Sequence, residues 1–272
     1  MHFAVSGVEC PLWLPAVVAF VIALATTPAG VSGAFLLLPF QMSVLGFVSP
    51  AVTPTNLIYN IVSVPGGVAR YIQEHRMVWP LAWTITIGTL PGVFLGAIIR
   101  IRYLPDPRYA KAFVGCVLLY LGARLLAQRT SKSESAATPH ANAQLVAVSL
   151  AVGVIGGIYG IGGGAMIAPF LMSVQRLPAR VVAGAALFGT LVTSVAGVVI
   201  FETLGGTKLA SGVAVRPDWT LGILFGIGGL AGSYCGARLQ KHLPERAIRL
   251  FLGCVVVGLG INYGAQFFRG GR

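Results

Sequence analysis

The 272 residues are 56% hydrophobic and only 10% charged, with a mean hydropathy of +0.84. A soluble domain is usually about a quarter charged, so this composition excludes an ordinary water-soluble globule. The formal net charge of +12 does not indicate a nucleic-acid binder, because the basic residues sit mainly in short turns between apolar segments, where they meet lipid headgroups and set topology. So basic a membrane protein is nonetheless suited to handling anions.

Apolar stretches of about 20 residues recur along the chain, long enough for a hydrocarbon core of about 30 Å. Strictly alternating segments are missing, so the expected fold is all-α and polytopic. The N-terminus lacks the Lys or Arg of a signal peptide, and the apolar run 12–27 is expected to be a retained membrane segment. Residues 28–33 (PAGVSG) break that helix and 34–45 resume it. Together the two pieces are too long for one ordinary span and too short for two, which suits a broken helix or a hairpin of two short helices. The next span, 51–70, is unusually polar, with Thr53, Thr55, Asn56, Tyr59, Asn60 and Ser63. A charged turn follows at 70–76, then a span at 79–99 bearing Gly88, Gly92 and Gly96, a basic turn at 100–108, and a span at 109–127.

Residues 128–143 (QRTSKSESAATPHANA) have the composition of a flexible linker. Beyond it the plan repeats: a second broken pair at 144–159 and 164–174, then spans at 178–201, 219–240 and 246–268. Gly30, Gly33, Pro39, Phe40, Met42 and Ser43 recur 130 residues later as Gly160, Gly163, Pro169, Phe170, Met172 and Ser173. Leu57, Val62 and Gly67 match Leu187, Val192 and Gly197 at the same offset, and Gly88, Gly92 and Gly96 match Gly228, Gly232 and Gly236 at 140. Later Gly115-Cys116 matches Gly253-Cys254. The chain therefore divides into an N-terminal membrane repeat (1–127), a polar linker (128–143) and a C-terminal membrane repeat (144–272), each repeat a broken helix pair plus three spanning helices. If each broken pair enters and leaves on one side, the odd number of remaining crossings inverts the second half; if each crosses once, the halves are parallel. The charge bias decides neither, but broken helices at matching positions are the usual mark of inverted repeats.

Gly160-Ile161-Gly162 with Ala165 formally fits a dinucleotide-binding fingerprint, but that motif needs a strand before it and a soluble βαβ unit around it. Small residues four apart let membrane helices approach, which accounts for Gly92 and Gly96, Gly222 and Gly226, and Gly232 and Gly236. Several adjacent glycines favour unwinding instead. Unwound backbone at membrane depth is tolerated only against protein or a watery cavity, and the helix that starts after it aims free N–H groups there. The natural occupant is an anion, and the expected site combines Gly30, Ser32 and Gly33 with Gly160, Gly162, Gly163 and Gly164. Asn56 and Asn60 share a helix face with Thr53 and Ser63; Thr190 and Thr193, with Ser194 beside them, stand at the positions matching Asn60 and Ser63. These are the candidate side-chain donors, with interhelical hydrogen bonding as their alternative role.

Ionisable residues are missing from the middle of every span. Glu202 and Arg70, at span ends, are expected to be interfacial anchors. His2, His75, His140 and His242 fall outside the spans, so no metal or catalytic constellation is visible and no cofactor or enzyme activity is expected. Cys116, Cys235 and Cys254 lie in apolar helices, where a small buried residue is the default.

At the glycine clusters the chain resembles the sulfite exporter TauE/SafE family of membrane transporters. GIGGGAMIAPFL in the second half carries the resemblance, with its weaker copy GVSGAFLLLPF and the glycine-rich spans Gly88 to Gly96 and Gly228 to Gly236. Ser32 and Ala34 depart from the glycines at Gly162 and Gly164. The resemblance implies a secondary transporter of small sulfur-containing anions, sulfite or organosulfonates, moved out of the cell across the plasma or inner membrane; a passive anion channel is the alternative. The expected partners are the small anion and the lipid bilayer, with room for a homo-oligomer and none for nucleic acid.

Overall fold

The computed structural model describes residues 1–27, 32–127, 143–164, 166–167, 171, 179–210, 212–239 and 245–269. Its main elements are the helices α1 (Trp13–Thr26), α2 (Ala34–Ser43), α3 (Val52–Ser63), α4 (Pro65–Gln73), α5 (Trp79–Arg102), α6 (Pro107–Ala127), α7 (Ala143–Tyr159), α8 (Ala179–Gly205), α9 (Trp219–Leu239) and α10 (Glu245–Arg269). Among the described residues β-structure is limited to an isolated bridge between His2 and Glu9. Among the described residues three stretches are long and apolar enough to cross a membrane: α5, Val182–Gly205 of α8 and Leu250–Arg269 of α10. The helices α1 and α2 are apolar but shorter. With 14 and 10 residues they measure about 21 and 15 Å, less than a hydrocarbon core of about 30 Å.

Three expectations need correction. The polar span expected over 51–70 is two helices, because Pro65 lacks an N–H and starts a separate first turn. The basic turn expected from residue 100 begins later, since α5 continues to Arg102 and buries Arg100 at 2% exposure. Cys116, Cys235 and Cys254 are exposed on the helix surfaces, whereas Cys10 is buried. Facing lipid, a small apolar residue is as acceptable as facing another helix, so composition alone does not say which side it takes.

Packing joins elements before residue 128 to elements from residue 143 onward. The most extensive contacts are α5 with α7, α1 with α9 and α6 with α10, followed by α3 with α9, α5 with α8 and α3 with α8. The expected packing glycines sit in these seams. A Cβ on Gly92 would fall on the Leu150 carbonyl oxygen, and one on Gly96 on that of Val154. Gly232 and Gly236 meet Phe20 and Leu24 in the same way, and Gly222 and Gly226 meet Ile58 and Val62. Rising numbers on one helix face rising numbers on the other, so α5 runs parallel to α7 and α9 runs parallel to both α1 and α3. The chain therefore reverses between α1 and α3, and α2 is the segment that runs back. Residues 28–31, between the two helices of this pair, lie outside the described residues.

Two seams run the other way. Gly115 packs on Gly260 and Gly122 on Gly253, so α6 and α10 are antiparallel. A Cβ on Gly197 would meet Leu57 of α3 and one on Gly67 of α4 would meet Leu187, so α3 and α4, taken in chain order, run antiparallel to α8 as well. Both seams are reciprocal: Leu57 and Gly67 stand 130 residues before Leu187 and Gly197, the residues they exchange contacts with.

Candidate functional site

The second glycine cluster begins where α7 ends. Gly160 has φ +81° and Gly162 φ +73°, a left-handed backbone that costs a side-chain-bearing residue about 1–2 kcal/mol. The Gly160 N–H donates to the Gly156 carbonyl at 2.8 Å and closes α7. Helical geometry resumes at Gly163, whose N–H donates to Thr193 Oγ1 at 3.0 Å. Neighbouring helices press on the opened backbone. A Cβ on Gly160 would meet the Thr53 carbonyl, one on Gly164 the Ala186 carbonyl, and one on Gly163 the Thr89 side chain at 2.5 Å. One on Gly162 would stand 3.0 Å from both Ser194 Oγ and the Thr190 carbonyl. Unwinding and close packing are thus one arrangement here, not alternatives.

The first cluster is described from Ser32 onward; Gly30 lies outside the described residues. Ser32 Oγ accepts from the Ala34 N–H at 3.3 Å and donates to Asn60 Oδ1 at 3.4 Å. Gly33 lies against the Tyr59 hydroxyl. Within α2, Pro39 has no N–H to offer the Phe35 carbonyl one turn back. The Tyr159 hydroxyl fills that gap, donating to Phe35 at 2.6 Å, and so ties the end of α7 to the start of α2. The Tyr263 hydroxyl holds the other end, 3.1 Å from the Pro39 carbonyl and 2.5 Å from Ser43 Oγ.

Asn56 joins the two clusters. Its Nδ2 donates to the Ala34 carbonyl and to the Gly160 carbonyl, both at 3.0 Å, while its Oδ1 accepts from Gln41 Nε2 at 3.3 Å. Both of its amide hydrogens are therefore engaged by backbone. The Thr190 and Thr193 hydroxyls donate to carbonyls of their own helix, Ala186 at 2.9 Å and Gly189 at 2.6 Å. Asn60 Nδ2 and Ser194 Oγ differ: each is buried and has no hydrogen-bond partner. Asn60 belongs to α3 and Ser194 to α8, two helices packed against each other.

The structure thus brings Ser32, Gly33, Asn56, Asn60 and Gly160 together in one set of contacts, and Gly162, Gly163, Gly164, Thr190 and Thr193 in another. Sequence reasoning missed Tyr159 and Gln41 as fasteners, although a proline inside an apolar helix signals a carbonyl in need of a donor. It also missed Arg100, whose Nε donates to Thr53 Oγ1 at 3.2 Å. Among the described residues no group of His, Cys, Asp and Glu could hold a metal ion. What the centre offers a ligand is neutral: amide, hydroxyl and backbone.

A family model for the sulfite exporter TauE/SafE matches residues 15–263. A probable membrane transporter protein of Xylella fastidiosa strain 9a5c is 25% identical over 84% of this chain and 87% of its own length. The probable membrane transporter protein y4hK of Sinorhizobium fredii is 25% identical over 91% of this chain and 96% of its own. For YjnA of Bacillus subtilis, another probable membrane transporter protein, the figures are 22%, 86% and 92%. No solved structure matches.

Proposed function

The chain belongs to the sulfite exporter TauE/SafE family of membrane transporters, and from that premise we propose that it is a secondary transporter exporting small sulfur-containing anions, sulfite or organosulfonates, by alternating access. The observation that carries this reading is the pair Asn60 Nδ2 and Ser194 Oγ. Leaving a buried polar group without a partner costs about 1–3 kcal/mol, so each such group calls for an explanation. Here two lie on packed helices, α3 and α8, and Ser194 stands beside the opened backbone at Gly162. An oxyanion accepting from both would satisfy them without a protein charge in the membrane. Ser32, Gly33 and Gly160 on one side, and Gly162, Gly163, Gly164, Thr190 and Thr193 on the other, are the groups taken to frame that position, with Gly30 as the remaining candidate of the first cluster. Asn56 is the latch between them.

The reading includes a multi-pass protein of the plasma or inner membrane whose halves, 1–127 and 144–272, are inverted repeats. Antiparallel packing of equivalent helices supports inversion. A two-fold axis that relates antiparallel helices is perpendicular to them, so it lies in the plane of a membrane they cross. Rocking one half against the other would then expose the same central position to each side in turn.

Two measurements test the proposal. In proteoliposomes, sulfite flux saturates and shows counterflow; flux that never saturates and lacks counterflow identifies a passive channel instead. On purified protein, a panel of sulfite, thiosulfate, sulfonates and carboxylates raises the melting temperature for the preferred class, by about 2.7 kcal/mol of stabilisation at 100 times Kd. No response to any anion removes the site.

A further inference from the structure

Arg100 lies in the last turn of α5 and is 2% exposed. Its guanidinium donates to neutral oxygens: Thr53 Oγ1 at 3.2 Å, the Val48 and Ser49 carbonyls each at 3.4 Å, and the Leu104 carbonyl. The ion pairs found among the described residues lie elsewhere and use His2, Arg70, Arg76 and Arg216 as cations. Carbonyl dipoles soften a buried charge without cancelling it, and an unpaired buried charge is costly enough that such groups are normally paired. Within membrane helices an ionisable residue of this kind marks a ligand pathway by default.

The surroundings fit that role. Arg100 and Thr53 line a cavity of about 10 Å³ closed by Leu38 and Met42 of α2, Ala110 of α6 and Ile158 of α7. That is about the room one water needs, so an oxoanion enters only when α2 or α6 moves outward. From this cavity the polar face of α3 leads inward. Thr53, Oγ1 donating to the Ile158 carbonyl at 3.0 Å, comes first, then the Asn56 latch, then Asn60. Seven residues separate Thr53 from Asn60, a rise of about 10 Å along a helix. The residue 140 positions after Arg100 is Gln240, so the charge does not recur at that position.

We propose that Arg100 is an anion-binding position in its own right, the charged station at the face where α5 ends and α6 begins, from which a small oxoanion passes along α3 to the neutral central site. This rests on the anion-transport reading given above. The ligand class is an oxoanion with two oxygens on one edge, a sulfite, sulfonate or carboxylate, which the planar guanidinium fork matches. The neutral acceptors hold the fork in place while the station is empty.

The test titrates sodium sulfite and sodium methanesulfonate against the purified full chain, with sodium chloride at matched ionic strength as reference. Arg100→Gln weakens Kd about tenfold or more, the loss of a charge-assisted hydrogen bond, and Arg100→Lys restores part of it. Ala110→Val narrows the cavity at a residue whose side chain makes no hydrogen bond to Arg100 and also weakens binding; it decides the matter if Arg100→Gln does not yield monodisperse protein. If Arg100 only clamps the carbonyls of residues 48, 49 and 104, Arg100→Gln lowers Tm while both variants keep the wild-type Kd, and the proposal is overturned. A wild-type chain that binds neither anion overturns the transport reading itself, which separates the two failures.

Discussion

The two glycine clusters, the first described only from Ser32 onward, are filled differently. At the second, Gly164 approaches the Ala186 carbonyl so closely that no Cβ fits; at the first, the matching position is Ala34. The residue matching Ala186 is Asn56, and its side chain, not its backbone, reaches the Ala34 carbonyl. A small residue on the neighbouring helix brings two backbones together and demands glycine, whereas a longer one holds them apart and bridges the gap by hydrogen bonding. The same exchange occurs one residue earlier. Tyr59 of α3 packs against Gly33 and Gly229, while the positions matching Tyr59 and Gly229 are Gly189 and Thr89, and the Thr89 side chain faces Gly163. Bulk has moved from one neighbouring helix to another. The number of glycines in each cluster therefore reports how closely its neighbours come, and the weaker motif of the first half is the signature of the Asn56 bridge.

Swapping residues between the matched positions should break this equivalence most visibly. Gly164→Ala drives a Cβ into the Ala186 carbonyl and to 2.7 Å from the Thr190 nitrogen, both backbone atoms that cannot rotate away. Overpacking against backbone is expected to lower stability by more than about 3 kcal/mol, seen as a collapse of Tm or loss of monodisperse protein. The reverse change, Ala34→Gly, should cost only about 1 kcal/mol, the helix-propensity difference. Equal costs at the two positions would refute the account.

A smaller effect separates the two hydroxyls that hold α2. Tyr159→Phe leaves the Phe35 carbonyl, already without a helical donor because of Pro39, buried and unpartnered, at about 1–3 kcal/mol. Tyr263→Phe removes a bond to the Pro39 carbonyl in a place where Ser43 Oγ can turn to compensate, and should cost less. Thermal melting of the two variants side by side checks the order. If Tyr263→Phe proves the more damaging, the proline-gap argument for Tyr159 fails.

Much of this architecture was readable beforehand because glycine spacing in membrane helices encodes contact. The seams at Gly92 and Gly96, Gly222 and Gly226, and Gly232 and Gly236 lie where small-residue spacing placed them, and the offsets of 130 and 140 reappear as reciprocal contacts. The helical break at Gly160 to Gly162 was legible for the same reason. What was not legible depends on partners distant in sequence. Asn56 looked like a free donor, yet both its hydrogens are taken by carbonyls 22 and 104 residues away. Arg100 read as part of a surface turn, because nothing local says that Thr53 and the carbonyls of residues 48 and 49 will enclose it. The cysteines failed for a solvent reason: in lipid an apolar residue gains nothing by facing inward.

The finest comparison lies between polar groups that fasten and polar groups that wait. Thr193 Oγ1 is engaged on both sides, accepting from Gly163 and donating to Gly189, so Thr193→Val should cost stability whether or not an anion ever binds. Ser194 is the next residue, is equally buried, and its Oγ has no partner. Removing a buried hydroxyl that bonds to nothing relieves a desolvation penalty, so Ser194→Ala should leave Tm unchanged or slightly higher in anion-free buffer. Its effect should appear only with ligand: the sulfite-induced rise in Tm shrinks, and Kd weakens by a factor of about 3–10, as expected for one hydrogen bond of about 1 kcal/mol. A hydroxyl kept only for packing predicts the opposite pattern, a loss of Tm with an unchanged sulfite response, and that outcome would remove Ser194 from the site.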